Sequence, residues 1–215
     1  VEISLAFVFA CVLLFLFYGR QKNYSVYALL HLLKRITDKR LTGDLLEDEL
    51  RDILISRDEI EQDNFDKMVK DASIVDVDGP LDYQRLVSFV AKDIARVSGM
   101  DEHSVIERNL ERHQESNTAV SSFLAIPHIV VDDGLRSFIY IVRCVEGVYL
   151  TDNEPKVKAI FFLGGTKKAR ALHLRTIAAL STTISQPDFQ ENWLKCKNPV
   201  EIRNLLMLAK RRRFF

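Results

Sequence analysis

Four residues of this sequence, His128, Arg112, Thr118 and His173, are of types that together could carry a phosphoryl group. A neutral imidazole, with an ordinary pKa of about 6.5, offers one ring nitrogen as a nucleophile near neutral pH. Phosphoryl transfer otherwise needs positioning and charge neutralisation, which an arginine and nearby donors supply. On this chemistry His128 accepts the phosphoryl group, Arg112 neutralises it, and Thr118 and His173 are positioning donors. Each residue taken alone also has a structural explanation, so the joint spacing selects them.

The stretch from residue 110 to 128 reads LERHQESNTAVSSFLAIPH and resembles the active-site signature of fructose/mannitol-type enzyme IIA domains of the bacterial phosphoenolpyruvate:sugar phosphotransferase system. In that family a Leu-x-Arg-Glu motif and a Thr-Gly-x-Gly run lead into Ala-Ile-Pro-His, whose histidine takes a phosphoryl group from the phosphocarrier HPr. His173-Leu174 resembles the family's second element. The resemblance extends roughly from Leu81 to the C-terminus and implies an α/β fold with a mixed sheet flanked by helices.

Several positions depart from that family's pattern. Ala119, Ser121 and Phe123 stand where the family tends to have glycines, and His113 replaces the glutamate that follows the motif arginine. Side chains there restrict the close approach to the backbone that glycine permits. We therefore expect a degenerate domain that responds to phosphorylation at His128 or to a ligand, rather than an efficient phosphotransferase.

The pattern from residue 81 onward predicts the elements that must position these residues. Apolar residues at helical spacing predict a helix from Tyr83 to Val97, with Gly99 as its C-terminal cap. Asp101 is expected to cap a second helix that carries Arg112. Strand-like and helical segments then alternate, which favours a sheet covered by helices. The predicted strands are Ser122–Ile126, Ser137–Cys144 and Val157–Leu163, and the predicted helices lie near Lys167–Ile184 and Val200–Lys210.

Residues 20–77 are expected to form a helical linker ahead of a domain at 78–215. An amphipathic helix is predicted from Tyr24 to Thr37. Two short acidic helices should follow, one capped by Asp44 with Glu47 and the other by Asp58 with Glu61. The segment from residue 74 to 80 breaks the helical pattern, and Gly79-Pro80 predicts a turn.

The N-terminal residues form an apolar run from Ile3 to Gly19, interrupted only by Ser4. Its length approaches the roughly 30 Å of a bilayer's hydrocarbon core, which predicts the end of a transmembrane helix over residues 1–19. Lysines and arginines follow closely, which marks the cytoplasmic side. A signal peptide and a buried helix are alternatives, but no basic region precedes the run and no polar face divides it. Because the chain opens with Val1, we expect a piece of a longer membrane protein.

Composition excludes several other classes of protein. The 30 Lys and Arg residues balance 30 Asp and Glu residues, which argues against a strongly basic nucleic-acid binder. Cys11, Cys144 and Cys196 are too far apart in sequence to suggest a disulfide framework or a zinc site. No cofactor and no metal are expected.

Two further segments, one rich in glycine and one basic, permit more than one interpretation. Gly164-Gly-Thr-Lys167 lacks the spacing of a phosphate-binding loop, so a strand-to-helix turn is predicted. The C-terminal stretch from Lys210 to Phe215 combines four cations with two aromatic residues. It could contact anionic lipid or be a solvated terminus.

These features together predict the C-terminal regulatory domain of a bacterial membrane transporter, such as an ion antiporter, a channel or an amino-acid permease. The expected location is the bacterial inner membrane, with residues 20–215 cytoplasmic. The expected partners are the rest of the transporter, the anionic membrane surface, HPr or another phosphocarrier, and a second copy of the chain. An active phosphotransferase component that passes phosphate from His128 to a sugar permease, and a purely structural dimerisation module, remain alternatives.

Overall fold

A computed structural model of the protein describes residues 44–57, 60–116, 118–151 and 156–213. The chain divides into two compact units, residues 1–54 and 55–215. The predicted transmembrane run at residues 1–19 and the predicted helix at 24–37 lie outside the described residues. Within the described part of the chain, no helix combines the length and the apolar character needed to cross a membrane.

Two acidic helices are present where the linker was predicted, α1 (Asp44–Arg57) and α2 (Asn64–Asp71). The second begins later than predicted, because its capping box is formed by Asp63 and Asp66 rather than by Asp58 and Glu61. Asp63 accepts a hydrogen bond from the Asp66 amide at 3.0 Å, and the Asp66 carboxylate accepts one from the Asp63 amide at 3.2 Å. This reciprocal pair satisfies two amides that a helix start would otherwise leave free.

The second unit is built on a six-stranded mixed sheet, in agreement with the predicted fold class. Two long antiparallel strands, β5 and β6, form its centre, and β1 and β2 pair parallel with β5 while β3 and β4 pair parallel with β6. The strands are β1 (Ser73–Asp76), β2 (Leu81–Asp82), β3 (Leu124–Ala125), β4 (His128–Val131), β5 (Phe138–Tyr149) and β6 (Val157–Thr166). The helices are α3 (Tyr83–Ser98), α4 (Glu102–Glu115), α5 (Arg170–Ile184), α6 (Phe189–Lys195) and α7 (Pro199–Met207).

Helices cover both faces of this sheet because side chains alternate along the central strands. Tyr140 and Phe162 join the buried face of α3 in one apolar cluster. Phe161, the neighbour of Phe162, points the other way and contacts Trp193 of α6, with ring centroids 5.5 Å apart. The predicted helix at 83–97 is confirmed, and Gly99 ends it in the left-handed conformation at φ 80°.

Strands β1, β3 and β4 differ from the prediction. Residues 73–76, assigned to the end of a helix and the start of a turn, form β1, where Asp76 is held by two hydrogen bonds of 2.6 and 2.7 Å from Arg143. The strand predicted at Ser122–Ile126 is only two residues long, and β4 then begins at His128. Pro127 separates the two, so His128 is the first residue of β4.

The C-terminal cations also differ from both predictions made for them. Arg211 is buried and donates two hydrogen bonds of 2.7 and 2.8 Å to the Asp63 carboxylate, and Arg213 donates one of 2.9 Å to Asp66. Arg211 is therefore neither a lipid contact nor part of a solvated terminus. The cap of α2 and residues 211–213 form one ionic cluster inside the second unit.

Candidate functional site

The ring of His128 is held in one orientation by a backbone carbonyl two residues earlier in the chain. Its Nδ1 lies 3.0 Å from the carbonyl oxygen of Ile126. A carbonyl only accepts hydrogen bonds, so Nδ1 carries the proton in this contact. The neutral ring then has its lone pair on Nε2, which lies 3.2 Å from Nη2 of Arg112, a group that only donates. His128 thus presents an unprotonated Nε2 to a guanidinium.

Helix α4 delivers Arg112 to this position through anchors on either side of the residue. One turn earlier, Arg108 donates hydrogen bonds of 2.8 Å to the Val130 carbonyl and to the Asp132 carboxylate. Next along the chain, His113 binds the Leu150 carbonyl at 2.8 Å. The residue that departs from the family motif therefore attaches α4 to the end of β5. These contacts fix the rotation of the helix about its axis and, with it, the direction of Arg112.

His173, in the first turns of α5, is the second imidazole of the site. Its ring centroid lies 5.9 Å from that of His128, and the two rings are tilted by 48°. Burial, and then the proximity of His128, lower the pKa of His173 below its ordinary value. His173 is therefore neutral over a wider pH range than a free histidine. Its ring forms no hydrogen bond with any residue that the structure describes, which leaves its donor and acceptor available.

Thr118 is not among the residues that line the cleft around His128. Its hydroxyl is buried and has no hydrogen-bond partner within the described ranges. Its carbonyl accepts a 2.9 Å hydrogen bond from the Ile126 amide. The predicted donor role of the Thr118 side chain is thus without a supporting contact, whereas its backbone holds the residue whose carbonyl orients His128.

The loop that has lost the family's glycines turns back on itself without them. The amides of Val120 and Ser121 both donate to the Leu124 carbonyl, at 2.9 and 3.2 Å. Phe123 is buried and does not line the cleft. The side chains that replace glycine therefore leave His128 uncovered. The sequence suggested that they would restrict access to the histidine, and the structure shows that they do not.

Gly165 matters because the His173 ring lies directly against it. A Cβ at Gly165 would be 2.7 Å from Nδ1 of His173 and 3.1 Å from its Cγ. Both Gly164 and Gly165 lie within β6, and the Thr166 hydroxyl accepts a 3.2 Å hydrogen bond from the Ala169 amide as the chain enters α5. The chain does pass from strand to helix here, but β6 continues through Thr166, so the turn lies after the glycines rather than at them. Gly165 permits the close approach of the strand and the imidazole.

We expect Gly165→Ala to destabilise the protein by about 1–3 kcal/mol, because the added methyl group must displace the His173 ring. In a His173→Ala background the same substitution should cost under about 0.5 kcal/mol, since the clash is gone. Urea unfolding of the four proteins of this cycle measures both values. An equal cost in the two backgrounds would contradict the proposed contact.

His128 lies in an open cleft of about 970 Å³. One wall comes from α4 and contains Arg108, Arg112 and two glutamates, and the other comes from the β6–α5 turn and contains His173. The ionic residues lining it are Arg108, Glu111, Arg112, Glu115, Asp132, Lys167 and Arg170. A histidine with a free lone pair, an arginine beside it and access from solvent together suit the acceptance of an anionic group.

Comparison with known proteins decides the family. Residues 82–208 match the family described as phosphoenolpyruvate-dependent sugar phosphotransferase system, EIIA 2. The chain belongs to this family. The match includes Arg112, His128 and His173, and it confirms the resemblance seen in the sequence. A search of curated proteins gives no significant match.

Solved structures share the fold of this EIIA 2 chain. Nitrogen regulatory protein IIA-Ntr from Neisseria meningitidis superposes with a TM-score of 0.56 at 23% identity, over 62% of this chain and 91% of that one. IIA mannitol from Escherichia coli gives 0.50 at 15% identity, over 59% and 90%. A putative PTS IIA domain from Streptococcus pyogenes gives 0.51 at 13% identity, over 66% and 95%. At these identities the likeness establishes the fold alone.

The EIIA 2 cleft also contains residues that sequence reasoning did not select. Lys167 belongs to the predicted strand-to-helix turn, Arg170 to the predicted helix after it, and Arg108 to no motif. Arg108 lies four residues before Arg112, and Arg170 lies three residues before His173. Both spacings place the two side chains on the same face of a helix. This spacing is the sequence signal from which Arg108 and Arg170 could have been predicted as residues of the site.

Proposed function

We propose that this EIIA 2 domain accepts a phosphoryl group on Nε2 of His128 from a histidine phosphocarrier such as HPr, and that its phosphorylation state regulates a membrane transporter. The observation that carries the proposal is the bond between Nδ1 of His128 and the Ile126 carbonyl, which leaves the Nε2 lone pair facing Arg112 in an open cleft.

In the transfer step, Nε2 of His128 attacks the phosphorus atom of the carrier's phosphohistidine. A P–N bond forms to Nε2 as the P–N bond of the carrier breaks, and the carrier's imidazole leaves with that electron pair. His128 loses no proton, since its only ring proton stays on Nδ1 and remains bonded to the Ile126 carbonyl. That bond also disperses the positive charge that the ring gains on phosphorylation.

Arg112 changes partner during this step. Before transfer it donates toward the Nε2 lone pair, and a nitrogen that bonds phosphorus no longer accepts a hydrogen bond. The guanidinium then moves to the phosphoryl oxygens, where it forms charge-assisted hydrogen bonds. His173, neutral and without a partner among the described residues, supplies a further donor to those oxygens.

The regulatory part of the proposal rests on the sequence. The apolar run at residues 3–19, followed by lysines and arginines, supports a membrane tether that leads into the domain. The departures from the family at Ala119, Ser121 and Phe123 do not cover His128, so they do not separate a sensor from a relay. A relay that hands the phosphoryl group on to a sugar permease would use the same Nε2 and is the outcome that the experiment must separate.

The test is incubation of the protein with phosphoenolpyruvate, enzyme I and HPr. We expect one phosphoryl group per chain, located on Nε2 of His128 by ¹H–¹⁵N and ³¹P NMR. Label on Nδ1, or on another histidine, would contradict the proposal. Transport by the full-length protein in membrane vesicles should then differ between its phosphorylated and unphosphorylated forms. An unchanged transport rate, with label passed on to an added permease domain, would establish the relay instead.

A further inference from the structure

The β6–α5 side of the cleft presents a row of side chains toward His128. Arg170, His173 and Leu174 occupy positions i, i+3 and i+4 of α5 and so share one face of that helix. Lys167, in the turn before the helix, lines the same cleft. We refer to Lys167 and Arg170 as the α5 cation pair.

Among the described residues, this pair differs from the other cations of the cleft in having no carboxylate partner. Arg108 is bound to Asp132 at 2.8 Å, and Arg112 lies 3.9 Å from Glu115. Within the described ranges, neither Lys167 nor Arg170 forms an ion pair or a side-chain hydrogen bond. The positive charge that is not already compensated therefore lies on the α5 side of the cleft.

The charge of a phosphoryl group requires more than one free cation. Such a group carries about −1.5 to −2 charges near neutral pH. Arg112 supplies at most one compensating charge, and part of that is offset by Glu115. Glu111 and Asp132 line the cleft as well and repel an anion. Until the bond to Nε2 forms and the His128 ring becomes positive, the α4 side by itself does not neutralise the charge of the incoming group.

The start of α5 adds to the attraction at this point. Its N-cap residue, Ala169, makes no side-chain capping bond, and an α-helix carries a partial positive charge at this end. Lys167 and Arg170 lie within one turn of it. The two cations and the helix end act in the same direction on an anion held next to His173.

We propose that Lys167 and Arg170 bind the oxygens of the phosphoryl group as it passes between donor and Nε2 of His128. This inference rests on the proposed function, because it describes the same site. It assigns to the α5 cation pair the part of the phosphoryl charge that Arg112 does not neutralise. The pair acts on the phosphoryl group itself and not on the surface of the carrier, so its effect does not depend on the donor.

The test compares the double variant Lys167→Gln/Arg170→Gln with wild type, using two donors. One donor is phosphorylated HPr, and the other is phosphoramidate, whose P–N bond breaks to release ammonia as the bond to Nε2 forms. We expect labelling of His128 to slow by about 10- to 100-fold with both donors, because the variant loses two cations that bind the phosphoryl oxygens. The effect stays in this range because the cleft is open to solvent. Added KCl should slow the wild type more than the double variant, because screening weakens the same attraction.

Lys168→Gln is the matched control. Lys168 is adjacent in sequence and exposed, but it is paired with Asp133 at 3.2 Å and does not line the cleft. Its labelling rate should stay within about twofold of wild type. The charge-preserving variant Lys167→Arg/Arg170→Lys should retain most of the rate, which a loss of folding would not allow.

The possible outcomes separate the inference from the proposed function. Wild-type rates in the double variant with both donors would overturn the inference and leave the proposed function standing. A loss confined to HPr would also overturn it, because the cations would then contact the carrier protein. A wild-type protein labelled by neither donor would overturn the proposed function and the inference together.

Discussion

Replacing His128 by glutamine is expected to abolish phosphorylation of the protein, to below about a thousandth of the wild-type rate. A glutamine amide has no nucleophilic nitrogen, and loss of the nucleophile from a covalent site costs at least this much. Glutamine still offers a hydrogen-bond donor for the Ile126 carbonyl, so the entry into β4 is preserved. Labelling with ³²P-phosphoenolpyruvate, enzyme I and HPr measures the rate.

His103→Gln is the control for this substitution. His103 is an exposed residue of α4, and nothing places it in the cleft. Its labelling should equal that of the wild type, and the melting temperatures of both variants should lie within a few degrees of the wild-type value. Label that persists in His128→Gln would show that another residue accepts the phosphoryl group, and the proposed function would then be wrong.

The sequence predicts which residues belong to the site better than it predicts how they are arranged. The family motif selects Arg112, His128 and His173, and the structure brings all three to one cleft. Which nitrogen of His128 is unprotonated depends on the break between β3 and β4 at Pro127, which brings the Ile126 carbonyl to Nδ1. No periodicity in the sequence contains that information, because the contact depends on the path of the backbone over three residues.

A motif can include a residue whose side chain lies outside the site, as for Thr118, and it can omit residues that line the site, as for the α5 cation pair. Thr118 matches the family pattern, yet its backbone reaches the site while its side chain does not. Lys167 and Arg170 belong to no pattern and line the cleft, because β6 passes close to β4 and turns there into α5. A motif records residue types along the chain, whereas membership of a cleft depends on how the strands are ordered.

The structure shows where some of the acidic and basic residues of this balanced chain pair with each other. The sequence predicts acidic linker helices and a basic C-terminal stretch that could contact anionic lipid or be solvated. In the structure, cations and carboxylates 148 residues apart in sequence are bonded directly. Helix α7 packs against α2 and so brings residues 211–213 to its cap, and the pairing depends on that tertiary contact.

Replacing Arg211 by methionine is expected to destabilise the second unit by about 3–5 kcal/mol. The side chain of Arg211 is 0% exposed, and those of Asp63 and Asp66 are 2% and 1% exposed. Removing one partner of a buried ion pair leaves the remaining charge in a medium that solvates it poorly, which accounts for most of the cost. Arg211 also lies 4.5 Å from the centre of the Phe65 ring, a contact that methionine replaces only in part. For a unit of this size the melting temperature should fall by about 10 °C.

The matched control is Lys210→Met, which removes one positive charge from the adjacent, exposed residue. Its free energy of unfolding should remain within about 0.5 kcal/mol of wild type, as for most surface substitutions. Adding Asp66→Asn to Arg211→Met should recover part of the stability, because one of the stranded carboxylates is then neutral. Urea unfolding of the four proteins gives these values. Equal losses for Arg211→Met and Lys210→Met would mean that the ionic cluster does not hold the end of the chain to α2. A large loss for Arg211 alone, partly reversed by Asp66→Asn, is the result that a buried ionic cluster requires.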